Sequence, residues 1–197
     1  MKNNKFLLPI ILIVFACVTS SVVAGQLLFK GCLWWNCAPP RSFDVMDLGL
    51  PPTLFPANSQ YNPIQHNRDD NMEILNSGAQ TIYWENGSGL GIYLVDRYAT
   101  SENAKKEYDR TKNWFFRNGD TKIQWDKYVL LYKSSRADEF YSACGILEAD
   151  DYRCGMVARY QEFLVFFNTT ITDEMTYTDF QNIMVYIDEQ MIRYLDG

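Results

Sequence analysis

From Phe6 to Phe29 the chain reads FLLPIILIVFACVTSSVVAGQLLF, 24 residues without a charged side chain. As a helix such a run rises roughly 36 Å, enough to cross a hydrocarbon core of about 30 Å with some tilt. Lys2 and Lys5 precede it, so an anchor would keep the amino end in the cytoplasm and place everything after Lys30 outside. Two rival readings fit the same letters. Phe6 to Val18 can be the h-region of a secretory signal cut before Gly25, after the small residues of Val22-Val23-Ala24. Lipid attachment at Cys17 is the third reading, weakened by bulky Phe15 where a small residue is usual. All three put the remaining chain outside the cytoplasm, and residues 1–30 are set apart as anchor or signal.

The next pattern is one of breakers. Pro39, Pro40, Pro51, Pro52, Pro56 and Pro63 crowd the segment 31–63, which excludes a helix or a central strand and predicts an extended stalk. Its apolar group Leu48, Leu50, Leu54 and Phe55 could still lie against a folded domain, expected over 64–197. Within that domain Met72, Ile74 and Leu75 predict a short element, read as a helix, ended by Gly78. Alternation in QTIYWE and LGIYLVDRY around NGSG predicts a hairpin with Asn86 and Gly87 at its tip. A helix is predicted from Ser101 to about Arg117, capped by Thr100 and stopped by Asn118-Gly119, with Ala104, Tyr108, Thr111 and Phe115 on one face. Strand patterns follow at Lys122–Trp125, Tyr128–Lys133, Glu139–Leu147, Cys154–Tyr160 and Phe163–Thr169. The last element is an amphipathic helix. After a cap at Thr176 or Thr178, its stripe is Phe180, Ile183, Met184, Ile187, Met191, Tyr194 and Leu195. Hairpin, helix, meander and helix make an α+β domain, an antiparallel sheet packed by two main helices.

Charge and cysteine content sharpen this picture. The chain carries net charge -6; without Lys2, Lys5 and Lys30, 15 of its 18 basic residues face all 24 acidic ones, a net -9. Phosphate backbones would repel such a domain, so no nucleic-acid partner is expected. Cys32, Cys37, Cys144 and Cys154 are an even set beyond an export signal, which predicts disulfides. Of the three pairings possible, Cys32 with Cys37 and Cys144 with Cys154 close the shortest loops and are the expected bonds. Their spacings match neither a zinc knuckle nor C-x-x-C, so no metal and no cofactor is expected.

Catalytic patterns are sparse. His66 is the single histidine and has no recognisable partner, and no nucleophile elbow is present. The acidic pairs Asp69-Asp70, Asp138-Glu139, Asp150-Asp151 and Asp173-Glu174 read as solvated turns, with a calcium or carboxylate site as the sharper alternative. Gly87 to Gly91 lacks the P-loop lysine and reads as a turn. The abundant aromatics, among them Tyr83, Tyr93, Trp114, Phe115 and Trp125, fit a core or the lining of a ligand cleft. The loop GCLWWNCAPP places Lys30, Trp34 and Trp35 at the outer boundary of the expected span, where indole rings favour headgroups.

The run RYATSENAKKEYDR after a hairpin, followed by a meander and a long terminal helix, resembles the Mog1/PsbP-like α+β domains. These include exported lipoproteins and sensor domains of bacterial membrane kinases, and the resemblance covers roughly residues 64–196 at the level of topology. It implies an extracytoplasmic domain and assigns no functional residue. The expected function is a membrane-tethered, non-catalytic binding domain for an envelope protein or a small ligand. A carboxylate enzyme of the cell envelope and a structural subunit are the alternatives.

Overall fold

The computed structural model describes residues 7–30, 32–33, 35–67, 73–117, 124–126, 132–146 and 152–196. Trp34, Met72, the Asn118-Gly119 stop, the acidic pairs at 69–70 and 150–151 and most of the strand expected at 128–133 lie outside the described residues, as does the side chain of Lys30.

The first helix, α1, spans Leu7–Lys30. Its side chains are described from 12 to 26 only, a length of about 22 Å. Among the described residues no helix is long and apolar enough to cross a membrane, so the anchor rests on the sequence run and not on the fold. Beyond it stands an α+β domain with one eight-stranded antiparallel sheet. Its strands are β1 (Gln60–Tyr61), β2 (Gln65–His66), β3 (Ile74–Trp84), β4 (Gly89–Tyr98), β5 (Gln124–Asp126), β6 (Glu139–Ile146), β7 (Tyr152–Tyr160) and β8 (Phe163–Ile171). The order is β1-β3-β4-β8-β7-β6-β5, with β2 also on the free edge of β3. The hairpin β3–β4 therefore joins the β6–β7–β8 meander through its last strand, β8.

Each face of the sheet has its own helix and its own core. Side chains alternate across a strand, so Ile82, Trp84, Tyr93, Val95, Phe163, Val165, Phe167, Met156 and Ala158 share one face. There they meet α3 (Tyr177–Asp196) through Phe180, Ile183, Met184, Ile187 and Met191, the stripe its spacing predicts. Thr176 caps α3: Asp179 N–H donates to Thr176 Oγ1 at 3.3 Å while Thr176 N–H donates to Asp179 Oδ2 at 2.8 Å. The opposite face carries α2 (Ser101–Phe115), whose Ala104 and Tyr108 pack with Val157, Leu164, Ala143 and Trp125. Thr100 Oγ1 caps it by accepting from Asn103 N–H at 3.0 Å. Phe115 and Phe116 settle on this face because Gly155 has no side chain; a Cβ there would lie 2.9 Å from the Phe115 ring.

Two expectations need correction. The short helix expected around Ile74 is the start of β3, and Gly78 is no stop: it lies within the strand, opposite Val95. A side chain at Gly78 is excluded because Ile64 covers it, with Cδ1 2.8 Å from where a Cβ would stand. The stalk reading needs a narrower correction: its apolar Leu48, Leu50 and Phe55 lie against the folded domain, as that reading allowed, and the segment is no spacer. Val45, Leu48, Leu50, Phe55 and Ile64 are buried in the α3-side core, so residues 43–66 form a strap across the sheet. The segment is not extended throughout, since it winds into short 3-10 turns at Val45–Leu48 and Pro52–Leu54, and its remaining backbone polar groups find other partners. Leu50 N–H donates to Gln80 Oε1 at 2.9 Å, Gln80 Nε2 donates back to Leu50 O at 3.1 Å, and Tyr61 O–H donates to the same carbonyl at 2.6 Å. Gln80 is thus a polar residue on an apolar sheet face with its hydrogen bonds made.

Candidate functional site

On the α2 side, the helix leaves part of β4 and β8 uncovered, and a groove of about 600 Å³ opens there. Its floor comes from three cross-strand pairs facing the same way: Ile92 with Asn168, Leu94 with Phe166, and Asp96 with Leu164. The wall is the outer half of α2, with Phe115 edge-on to Phe166 at 4.6 Å between ring centroids. Trp114 stands beside the opening and is 73% exposed, an unusual outlay of apolar surface for a helix with a polar outer face. Glu107, Arg110 and Thr111 make the rim. Arg110 Nη2 lies 2.7 Å from Glu107 Oε1, and Thr111 Oγ1 donates to the same oxygen at 3.3 Å. Arg110 is 74% exposed and Glu107 17%, so solvent screens the pair in part and it adds little to stability. A mostly apolar floor that ends in Asn168 and Asp96, with further polar groups on the rim, is the usual make-up of a small-molecule site.

Two polar clusters lie elsewhere, and neither lines this groove. Asp188, on α3, is 4% exposed and accepts from Ser134 Oγ at 2.9 Å and from the hydroxyls of Tyr132 and Tyr160. Ser134 Oγ in turn accepts from Ala137 N–H at 2.8 Å, so the carboxylate ties the 132–137 segment and β7 to α3. Burial pushes the Tyr160 and Tyr132 hydroxyls well up from the ordinary tyrosine range, and the neighbouring Asp188 adds to both shifts. The second cluster is Glu162, at the turn between β7 and β8 and 1% exposed. Arg41 Nε and Nη2 each donate to it at 2.8 Å, and Arg97 Nη2 lies 3.4 Å from Oε1. The hydrogen bonds to Glu162 hold the Arg41 guanidinium above its ordinary pKa. Arg97 also stacks on Phe163 and donates to Pro39 O.

The residues singled out in the sequence fall into separate places. Cys32 is bonded to Cys37 and Cys144 to Cys154, the latter pair directly opposite each other on β6 and β7. Both bonds suit an oxidising, extracytoplasmic or secreted setting. Trp35 is 76% exposed on the first loop. His66 is exposed on β2 at the sheet edge. Asp138 and Glu139 are engaged by Arg159 at 3.1 and 2.6 Å, and Asp173 and Glu174 are exposed. Among the described residues no group of three or more His, Cys, Asp or Glu is placed to hold a metal. Sequence reasoning missed Asp188, although an acid four residues after Met184 sits on the apolar stripe of α3. Of the groove it named only Trp114 and Phe115, offered as core or cleft lining, and missed the floor residues scattered over β4 and β8.

No protein-family model matches the chain, and no curated protein matches it either.

Proposed function

We propose that this chain is a membrane-tethered extracytoplasmic binding domain, non-catalytic, that receives a small amphipathic molecule in the groove between α2 and the β4–β8 floor. The groove itself carries the reading: about 600 Å³, mostly apolar beneath with Asp96 and Asn168 at the ends of its floor, polar along one rim, with an exposed tryptophan at the opening. The ligand's apolar body would rest on Ile92, Leu94, Leu164 and Phe166, and its polar end would meet Arg110 and Glu107. Tethering follows from the charge-free run Phe6–Phe29 after Lys2 and Lys5, with a secreted form after cleavage at Gly25 as the alternative. The topology-level resemblance to Mog1/PsbP-like domains agrees with an extracytoplasmic binding role. The carboxylate-enzyme alternative has less support, because the described acidic pairs are engaged by Arg159 or exposed.

The test is a thermal-shift screen of small amphipathic molecules on the full chain in phospholipid nanodiscs. A true ligand at a hundredfold its Kd should add about 2.7 kcal/mol, or roughly 5–10 °C in Tm for a chain of this size. Leu94→Lys should abolish the shift while leaving the unliganded Tm within about 2 °C, since Leu94 is only half-buried. Equal shifts in wild type and Leu94→Lys would place the ligand elsewhere, and a screen without any Leu94-dependent binder would remove the groove reading.

A further inference from the structure

The stretch between α1 and the domain is fastened at both of its ends. At the far end Ala38 N–H donates to Ala99 O at 2.7 Å, Pro39 O accepts from Arg97, and Arg41 holds Glu162. At the near end Cys32 and Cys37 close a ring, with their Cα atoms 5.1 Å apart. Eight extended residues from Lys30 to Ala38 could reach about 28 Å. The ring removes close to half of that length: the path through the bridge allows no more than about 16 Å from the end of α1 to Ala38. A headgroup layer is about 5–8 Å thick on each side of the hydrocarbon. Ala38, and with it Ala99 and the start of α2, then stands within about 10 Å of the outer lipid surface.

Resting on the anchored reading above, we propose that the Cys32–Cys37 ring is a short rigid leash that seats one end of the domain on the lipid surface. That end comprises Ala99–Glu102 and the β7–β8 turn at Gln161-Glu162, with Trp35 set among the headgroups. The indole of Trp35 is open to its surroundings and belongs to the residue type that favours this layer. The partner is the bilayer itself. The other end of the sheet is the turn at Glu85–Gly87, and β4 separates the two by about 30 Å. The domain therefore stands end-on with no spacer, and the clamp at Glu162 transmits the ring's position to the sheet.

Photo-crosslinking of the full chain in phosphatidylcholine vesicles tests this, with p-benzoylphenylalanine in place of Glu102 or of Ser88, both exposed. Alkaline carbonate extraction is run on the same samples. The expected result is an integral protein with lipid adducts at position 102 and none at 88. Opening the ring with Cys32→Ser and Cys37→Ser should bring loss of the adduct at 102 while the protein stays in the membrane. An integral protein without adducts at 102, or with equal adducts at 88, overturns the end-on seating and leaves the anchor standing. Release by carbonate overturns the anchor, and the seating with it.

Discussion

Replacing Glu162 with Gln should cost more than any other single change at its clamp with Arg41 and Arg97. The carboxylate is buried, takes two charged hydrogen bonds of 2.8 Å from Arg41, and has Arg97 at 3.4 Å. Removing one member of a buried pair costs about 3–5 kcal/mol, because the partner stays desolvated without its counter-charge. Here two guanidiniums would face one neutral amide, which sets the expectation for Glu162→Gln at about 4 kcal/mol. Arg41→Ala should cost less, about 2–3 kcal/mol, since Arg97 still neutralises part of the charge. The double variant should then show a coupling of about 2 kcal/mol. Urea unfolding of the full chain in micelles, followed by tryptophan fluorescence, measures all three. In heating experiments the single Glu162 change should lower Tm by roughly 8–16 °C. A buried pair is poorly screened, so most of the coupling should survive about 1 M salt. A coupling below about 0.5 kcal/mol, or one that disappears in salt, would mean that the clamp is a surface pair and that burial has no hold on it.

Further outcomes follow from the same geometry. Asp188→Ala leaves Tyr132, Tyr160 and Ser134 without their acceptor and should cost about 2–4 kcal/mol by urea unfolding, with Asp188→Asn milder because one acceptor oxygen remains. Gly78→Val drives a side chain into Ile64 and Val45, so it should lift the strap and cost about 1–3 kcal/mol, with faster proteolysis in 43–66 as the readout. Alkali should unfold the protein earlier than a tyrosine-poor control. Burial pushes Tyr108 up to about 12, with Glu139 and Asp109 adding to it, and also raises Tyr93, Tyr132 and Tyr160. Each folded-state value lies above the unfolded one, so this stability is complete below about pH 10 and is lost as pH rises through 12, which far-UV circular dichroism would follow.

The helices α2 and α3 were legible because their information is local. Thr100 and Thr176 announce the caps, and the stripe from Phe180 to Met191 repeats at the period of the helix. The strands β4, β6, β7 and β8 were legible by alternation, to within about two residues. Gly78 misled because glycine after Ile74 and Leu75 resembles a helix stop; here it admits Ile64, a contact made across the sheet. The prolines of 39–63 kept long helices and central strands out, but the segment winds into 3-10 turns at Val45–Leu48 and Pro52–Leu54 instead of staying extended, and only its apolar Leu48, Leu50 and Phe55 hinted at burial. The backbone of Leu50 is satisfied by Gln80, thirty residues away, and its side chain is buried in the α3-side core.

The sequence alone determined the charge-free amino-terminal run, the even cysteine set, the α+β class and the faces of both helices, since periodicity and composition belong to neighbouring residues. Only the tertiary structure decided that the strap is core, that Arg41, Arg97 and Glu162 meet, that Asp188 gathers two tyrosines, and that α2 stops short of covering β4. Those facts depend on which distant segments pack together: the groove is lined by β4, β8 and the last turns of α2, and β8 lies far along the chain from the other two.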